Sequence, residues 1–308
     1  SFFNGFPLAG STSISDAGNY YAAGSSAVHY RDNRFSLYFN SPATSGELAT
    51  LVKTNPEVPY LTIVNEVEAA NTQEDNAYIF SIPGSDHLIV RGNIPRSQRQ
   101  FEIKGALHEP GKLLVLELEA ALKTAGISVE NKVLSPTEGS TLIYTTTSPP
   151  LKEIIAYMLR TSDNSYADCM VQQLGKNLNE NGSFEGGEDA IQTYWGSRGM
   201  PNAEWRQDDG SGLSRANAIA AGQISYIIAA SSKETREALK LGLKPMRGNT
   251  SILVKSGYIS DVRAYAGFID GMSGKYYAFS IIVNNHNQSA SAMRRQIESL
   301  INEFQELL

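Results

Sequence analysis

Cysteine is almost absent: Cys169 stands alone among 308 residues, so no internal disulfide can form and a zinc site built from cysteines is excluded. Long apolar runs are missing as well. The longest mainly apolar stretches, such as Ile224–Ala230 and Phe279–Val283, fall far short of the roughly 20 residues a bilayer span needs, so no segment is expected to cross a membrane. Positive charge is in deficit, with 26 Lys and Arg against 32 Asp and Glu for a net −6, and the basic residues form no stripe. No field is available to attract phosphate backbones, and nucleic acid is not an expected partner. The opening residues Ser1–Pro7 have neither the charged start nor the long apolar core of a secretory signal, and are expected to be internal to a longer protein.

What is present is an ordinary globular composition, 41% hydrophobic and 19% charged, at a length that favours about two domains. Up to about Lys104 the signals are those of short strands. Segments Arg34–Phe39, Tyr60–Val67, Tyr78–Ile82 and His87–Arg91 are rich in β-branched and aromatic residues and are separated by Gly, Pro, Asn and Ser clusters. From Pro110 to Ala125 the pattern turns helical: Leu113, Leu114, Leu116, Leu118, Ala121 and Leu122 make a wide apolar face, and Gly126 stops it.

A strand-like stretch, Thr141–Thr146, leads to Ser148-Pro149-Pro150, where a Ser cap, Pro and Glu153 open a helix through Arg160. Helices are expected at about Ser165–Leu178, Glu188–Trp195 and Asn217–Ala230. Strands Arg263–Asp270 and Lys275–Asn284 should form a hairpin through Gly271–Gly274, and Ser289–Leu308 an amphipathic helix with Met293, Ile297, Leu300, Ile301 and Phe304 on one face. Strands first, then helices, then an antiparallel meander and a closing helix make an α+β fold. No internal repeat is present.

Several common signatures are absent. There is no G-x-S-x-G, and His108-Glu109 has no second histidine four residues on. Gly210-Ser211-Gly212 begins like a dinucleotide loop, but Arg215 takes the third glycine position. Asn177–Gly182 with Glu188 has the outline of an EF-hand loop, yet the neutral Asn177 at the first ligand leaves little charge to hold a divalent ion, and the segment reads as a connection.

Three other segments carry chemistry. Ser162-Asp163-Asn164 lies between two helices, where side chains can enter a cleft; Lys255-Ser256-Gly257 ends the strand Ile252–Lys255; between them lies Asp209-Gly210-Ser211-Gly212-Leu213-Ser214-Arg215. Singly they are a helix cap, a strand end and a turn. Together and in this order they resemble the second and third motifs, S-x-N and K-[TS]-G, of the serine penicillin-recognising enzymes. The D-G-S-G-L-S-R loop resembles that of the D-alanyl-D-alanine carboxypeptidase/endopeptidase group with inserted domains. Asp16–Gly24, Asp75–Tyr78 and Ile103–Ala106 resemble the same group, so the likeness runs over nearly the whole chain.

The resemblance implies a fold and a site. The fold would be α+β: a β-rich accessory region over residues 1–140, and the C-terminal part of a transpeptidase/β-lactamase-like domain, an antiparallel sheet with flanking helices, over 141–308. Acyl transfer from a D-Ala-D-Ala terminus needs an activated hydroxyl, a proton relay to the leaving amine and donors for the oxyanion. By the resemblance Ser162 relays the proton, Asn164 binds the substrate amide and Lys255 sustains positive potential beside Ser162. Ser256 binds the terminal carboxylate, and Tyr258, after Gly257, supplies a backbone oxyanion donor. Asp16, Tyr21, Leu213, Arg215 and Ile259 would grip the stem-peptide side chain. Ser256 stands where many relatives have Thr, and Asp168 where they often have Glu.

The first motif of that family, S-x-x-K, is missing: none of the twelve lysines has a serine three positions earlier. Because the motif precedes this region in relatives, the nucleophile is expected upstream of Ser1. The implied protein is a bacterial, extracytoplasmic hydrolase of peptidoglycan stem peptides that needs no cofactor or metal. It would react with β-lactams only when the upstream segment is present. The competing expectation is a catalytically silent peptidoglycan-binding or scaffold protein that kept the cleft and lost the nucleophile.

Overall fold

The computed structural model describes residues 6–129, 144–179, 182–200, 205–271 and 274–308. The chain divides into two compact units, one of Ile14–Pro150 and one of Ser1–Ser13 with Leu151–Leu308.

The Ile14–Pro150 unit opens with a short helix, α1 (Ile14–Ala17). Six strands follow: β1 (Arg34–Asn40), β2 (Thr50–Asn55), β3 (Thr62–Ala70), β4 (Tyr78–Phe80), β5 (His87–Pro95) and β6 (Phe101–Ala106), and then α2 (Pro110–Thr124). Strand β1 buries every second residue, Phe35, Leu37 and Phe39, as a one-sided strand must. It is the centre of an antiparallel sheet, β2-β1-β6. The second sheet, β3-β5-β4, contains a parallel pair, with Thr62 opposite His87 and Ala70 opposite Pro95. Val67, Ile79, Val90, Ile94 and Ile103 join β1 in one core.

Helix α2 forms where expected, but its apolar face is narrower than the sequence suggests. Leu113 is buried, whereas Leu116 and Leu118 are exposed. Glu117 lies on the partly exposed side of the helix, where Arg31 donates to its Oε2 at 3.0 Å. Of the strand-like stretch 141–146, residues 141–143 lie outside the described residues and 144–146 belong to no regular element. The EF-hand-like stretch likewise lies partly outside them.

The second unit contains α3 (Leu151–Thr161), α4 (Asn164–Asn179), α5 (Phe184–Gly196), α6 (Ala221–Ala230) and α7 (Lys233–Gly242). Then come β7 (Lys244–Met246), β8 (Asn249–Ile259), β9 (Val262–Asp270), β10 (Tyr276–Val283) and α8 (Ala290–Glu306). Serine side chains start three of the helices: Ser183 accepts from Gly186 N, Ser232 from Thr235 N and Ser289 from Ala292 N. Helix α7 is not among the expected helices; Ser232 caps it, with Glu234 in its first turn and Lys240 in its last. Helix α6 begins at Ala221 rather than Asn217 because the Asn217 side chain is engaged with the preceding loop.

The antiparallel order is β10-β9-β8-β7. Helix α8 contributes Met293, Ile297 and Ile301 to a core with Ile252, Val254 and Ile269, whereas Leu300 and Phe304 remain exposed. Spacing of four keeps 293, 297 and 301 on one line, and 300 and 304 fall on its flank. Burying Ile301 completely is worth about 1.5–3 kcal/mol.

Strands β8 and β9 meet so closely that a Cβ on Gly267 would lie 1.9 Å from the Leu253 carbonyl oxygen, while one on Gly257 would meet only the Ala264 Cβ at 3.7 Å. Gly267→Ala should therefore cost about 1–3 kcal/mol or more in chemical denaturation, since the backbone must move. Gly257→Ala should stay within about 1 kcal/mol of the parent. Equal losses at the two positions would contradict this packing.

Candidate active site

The site is built where a helix junction meets a sheet edge. Helix α3 ends at Thr161, and Ser162 turns the chain with φ +57°, a left-handed conformation unusual outside glycine. Asp163 then starts α4: its buried carboxylate Oδ1 accepts from Ser165 N at 3.1 Å and Ser165 Oγ at 2.7 Å. The middle residue of Ser162-Asp163-Asn164 thus anchors the junction, and Ser162 and Asn164 both line the adjoining cavity.

On β8, Ile252 and Val254 point into the core, so alternation sends Lys255 to the opposite face. There its Nζ donates to Ser162 Oγ at 2.9 Å, across 93 positions of sequence, and to the Ser256 carbonyl at 2.6 Å. Burial lowers the Lys255 pKa below the ordinary lysine value, and the nearby Lys244 cation adds to the effect. Since Ser162 Oγ accepts from lysine, its own proton is free to be donated elsewhere.

Strand β7 pairs with β8 only as far as Lys244 opposite Val254. Beyond that point Lys255–Ile259 pair with β9 alone, leaving one edge of β8 without a strand among the described residues. This edge borders a cavity of about 1260 Å³ that Ser162, Asn164, Leu213, Arg215 and Tyr226 also line. A smaller cavity of about 300 Å³ lies against Ser162 and Lys255 and is walled by Ala167, Gly210, Ala266 and Ser280.

The loop carrying Leu213 and Arg215 is held by carboxylates. Asp168 Oδ1 accepts from Gly210 N and Ser211 N, both at 2.9 Å. Asp209 Oδ1 accepts from Gly212 N at 2.8 Å, and its Oδ2 from Ser214 N at 2.6 Å. Asn217 closes the network by donating to Asp209 Oδ1 at 2.7 Å and accepting from Asp208 N at 2.8 Å, and Ser11 binds both Asp208 and Ser214. Arg215 reaches out to Ser260 Oγ at 3.4 Å.

The structure thus brings Ser162, Asn164, Leu213, Arg215 and the run Lys255, Ser256, Gly257, Tyr258 and Ile259 around one cavity. Asp16 and Tyr21 belong to the Ile14–Pro150 unit, where Tyr21 OH donates to Asp16 Oδ1 at 2.9 Å. The supporting roles of Asp163, Asp209 and Asn217 escaped the sequence reading, since a short Asp or Asn in a turn gives no sign of which backbone N–H it captures. Among the described residues no three His, Cys, Asp or Glu side chains gather as a metal site.

A family model described as D-Ala-D-Ala carboxypeptidase 3 (S13) matches residues 1–304. The D-alanyl-D-alanine carboxypeptidase of Actinomadura sp. (strain R39) is 24% identical over 275 residues, 81% of this chain and 51% of that protein. Carboxypeptidase DacB of Mycolicibacterium smegmatis is 29% identical over 233 residues, 66% of this chain and 51% of that protein. The chain therefore spans about half the length of these curated relatives. In fold it matches crystalline penicillin binding protein 4 (dacB) from Haemophilus influenzae, with a TM-score of 0.79 over 99% of this chain and 73% of that one, at 19% identity.

Two measurements check the geometry. Ser162→Gly should be more stable than Ser162→Ala by about 1 kcal/mol, because only glycine adopts a positive φ without cost; equal stabilities would show the turn to be unstrained. Burial disfavours the Lys255 cation, so its contribution to stability is present at alkaline pH and is lost as pH falls through its lowered pKa. Lys255→Met should abolish this slope in alkaline denaturation curves, and a persistent slope would assign it to another group.

Proposed function

The chain belongs to the D-Ala-D-Ala carboxypeptidase 3 (S13) family, and on that premise we propose that it forms the acyl-transfer cleft of a serine-type D-Ala-D-Ala carboxypeptidase acting on peptidoglycan stem peptides outside the bacterial cytoplasm. The observation that carries this reading is the Lys255 Nζ–Ser162 Oγ hydrogen bond beside the unpaired edge of β8. An extended peptide can add to that edge as a further strand, its main chain satisfied by Lys255–Ile259 while its scissile bond faces Ser162. The open wall at Gly257 leaves room for such an approach.

In this scheme the S-x-x-K lysine takes the nucleophile's proton. Ser162 passes its own hydroxyl proton to the nitrogen of the departing D-alanine and regains one from that lysine, while Lys255 holds Ser162 Oγ by donating to it. Asn164 donates to the substrate amide, Ser256 binds the terminal carboxylate, and the Tyr258 N–H faces the developing oxyanion. The nucleophile comes from an S-x-x-K segment, a reading supported by the room in the cavity beside Ser162 and Lys255. Leu213, Ile259 and Arg215 contact the stem-peptide side chain, the guanidinium meeting a carboxylate. Endopeptidase action on crosslinks is the finer extension of the same chemistry.

Intact-protein mass spectrometry with benzylpenicillin separates this scheme from a silent binding module. The 308-residue chain should gain no penicilloyl mass, and a chain extended upstream through S-x-x-K should gain one. An adduct on the shorter chain would mean that the nucleophile lies within it, and none on the extended chain would favour the binding module. In the extended protein, Arg215→Ala should lower kcat/KM about tenfold or more for a peptide with a free zwitterionic side chain and spare a simple acyl-D-Ala-D-Ala. Equal loss on both substrates would reduce Arg215 to a loop support.

A further inference from the structure

Asp168 lies one helical turn beyond Asn164 on α4, on the same face, and its carboxyl is enclosed. Both Gly210 N and Ser211 N converge on a single oxygen, Oδ1. The loop cannot retreat from the helix without breaking both bonds. Nor can it come closer, since a Cβ at Gly210 would lie 2.3 Å from the Ala167 carbonyl oxygen. The second carboxylate, Asp209, takes the N–H groups of Gly212 and Ser214. Two acids therefore hold four backbone donors in the five residues 210–214, next to Arg215 at the cavity wall.

We propose that Asp168 is a positioning residue that locks the 210–215 loop onto the helix bearing Asn164 and so sets the place of Leu213 and Arg215 in the cavity. The significance for substrate rests on the carboxypeptidase reading; the lock itself does not.

Two enclosed acids side by side cannot both ionise cheaply. Desolvation first, then the Asp209 charge, raises the Asp168 pKa to about 7, against the opposing pull of the Gly210 and Ser211 donors. Other charged groups nearby have their own partners. Glu188 of α5 accepts from Gln207 N, Asp208 is bound by Ser11 with Arg206 nearby, Arg160 at the end of α3 donates to the Leu241 carbonyl, and Lys255 of β8 donates to Ser162. Because the folded-state value is raised, the contribution of Asp168 is present in full at acid pH and is lost as pH rises through about 7. Ionisation places a second negative charge beside Asp209, while the Gly210 and Ser211 donors hold the charged oxygen more tightly.

The test reads the two amides directly. In the 308-residue chain the Gly210 and Ser211 amide resonances should titrate together with a midpoint near 7. Asp168→Asn, which keeps an acceptor oxygen and cannot ionise, should remove the inflection and retain slow hydrogen exchange at both amides. Asp209→Asn should move the midpoint to lower pH, and Asp168→Ala should speed exchange at both amides tenfold or more. An inflection that persists in Asp168→Asn, a midpoint unmoved by Asp209→Asn, or exchange unchanged in a folded Asp168→Ala would overturn the proposal. Should the alanine variant fail to fold, the two asparagine variants decide it alone. With a stem peptide ending in D-Ala-D-Ala and bearing a zwitterionic side chain, binding should weaken several-fold in Asp168→Ala and stay at the parent level in Asp168→Asn. Peptide binding unchanged in a folded Asp168→Ala would also overturn it. Amide titration as expected with no peptide binding at all would uphold the lock and reject the carboxypeptidase reading.

Discussion

The contact on which the site depends is the one between Lys255 Nζ and Ser162 Oγ at 2.9 Å. It joins a helix–helix junction to a strand that lies 93 positions further on. Each side of the contact is prepared locally before they meet. Asp163 buries its carboxylate to cap α4 and leaves Ser162 in a strained turn facing outward. Ile252 and Val254 fix the β8 register, so that Lys255 must emerge on the helix side. A slip of one residue in β8 would turn Lys255 into the core and bring Val254 or Ser256 to the cavity.

Around that contact, polar groups are arranged so that few are spent on stability alone. Ion pairs among the described residues such as Lys112 with Asp86 and Arg91 with Glu66 are exposed and contribute at most about 1 kcal/mol each. The enclosed acids differ in kind. Asp168 and Asp209 neutralise backbone N–H groups rather than cations, which lets a loop of small residues hold a single conformation without a hydrophobic core of its own. Asn217 completes the arrangement, and α6 starts a turn later as a result.

Hydrophobic packing and polar positioning are divided between the two units. In the Ile14–Pro150 unit, alternation along β1, β5 and β6 builds one core, and α2 contributes little to it beyond Leu113. In the other unit the sheet has α8 covering one face through Met293, Ile297 and Ile301, while the opposite face presents Lys255 and Gly257 to the cavity. Helix α6 also packs against β9 and β10, so the sheet's side chains that line the cavity come mainly from β8 and its open edge.

The sequence by itself determined the elements whose periodicity is strong. Strand β1 alternates, and α8 opens at Ser289 with a stripe that repeats every four residues. It also determined which residue types could do acyl-transfer chemistry, because Ser162-Asp163-Asn164 and Lys255-Ser256-Gly257 stand in an order that isolated turns and strand ends do not explain. Tertiary structure alone decided the rest. The parallel pairing of β3 with β5 involves strands separated by β4, and no local pattern specifies it. Which leucines of α2 are buried depends on where the helix meets the strands, and only Leu113 joins their core. The proton affinity of Asp168 depends on burial and on Asp209, 41 positions away, coming within electrostatic reach. Local propensity acts through neighbours in the chain, whereas burial, like-charge repulsion and strand pairing act through space, and only the folded backbone establishes which groups are close.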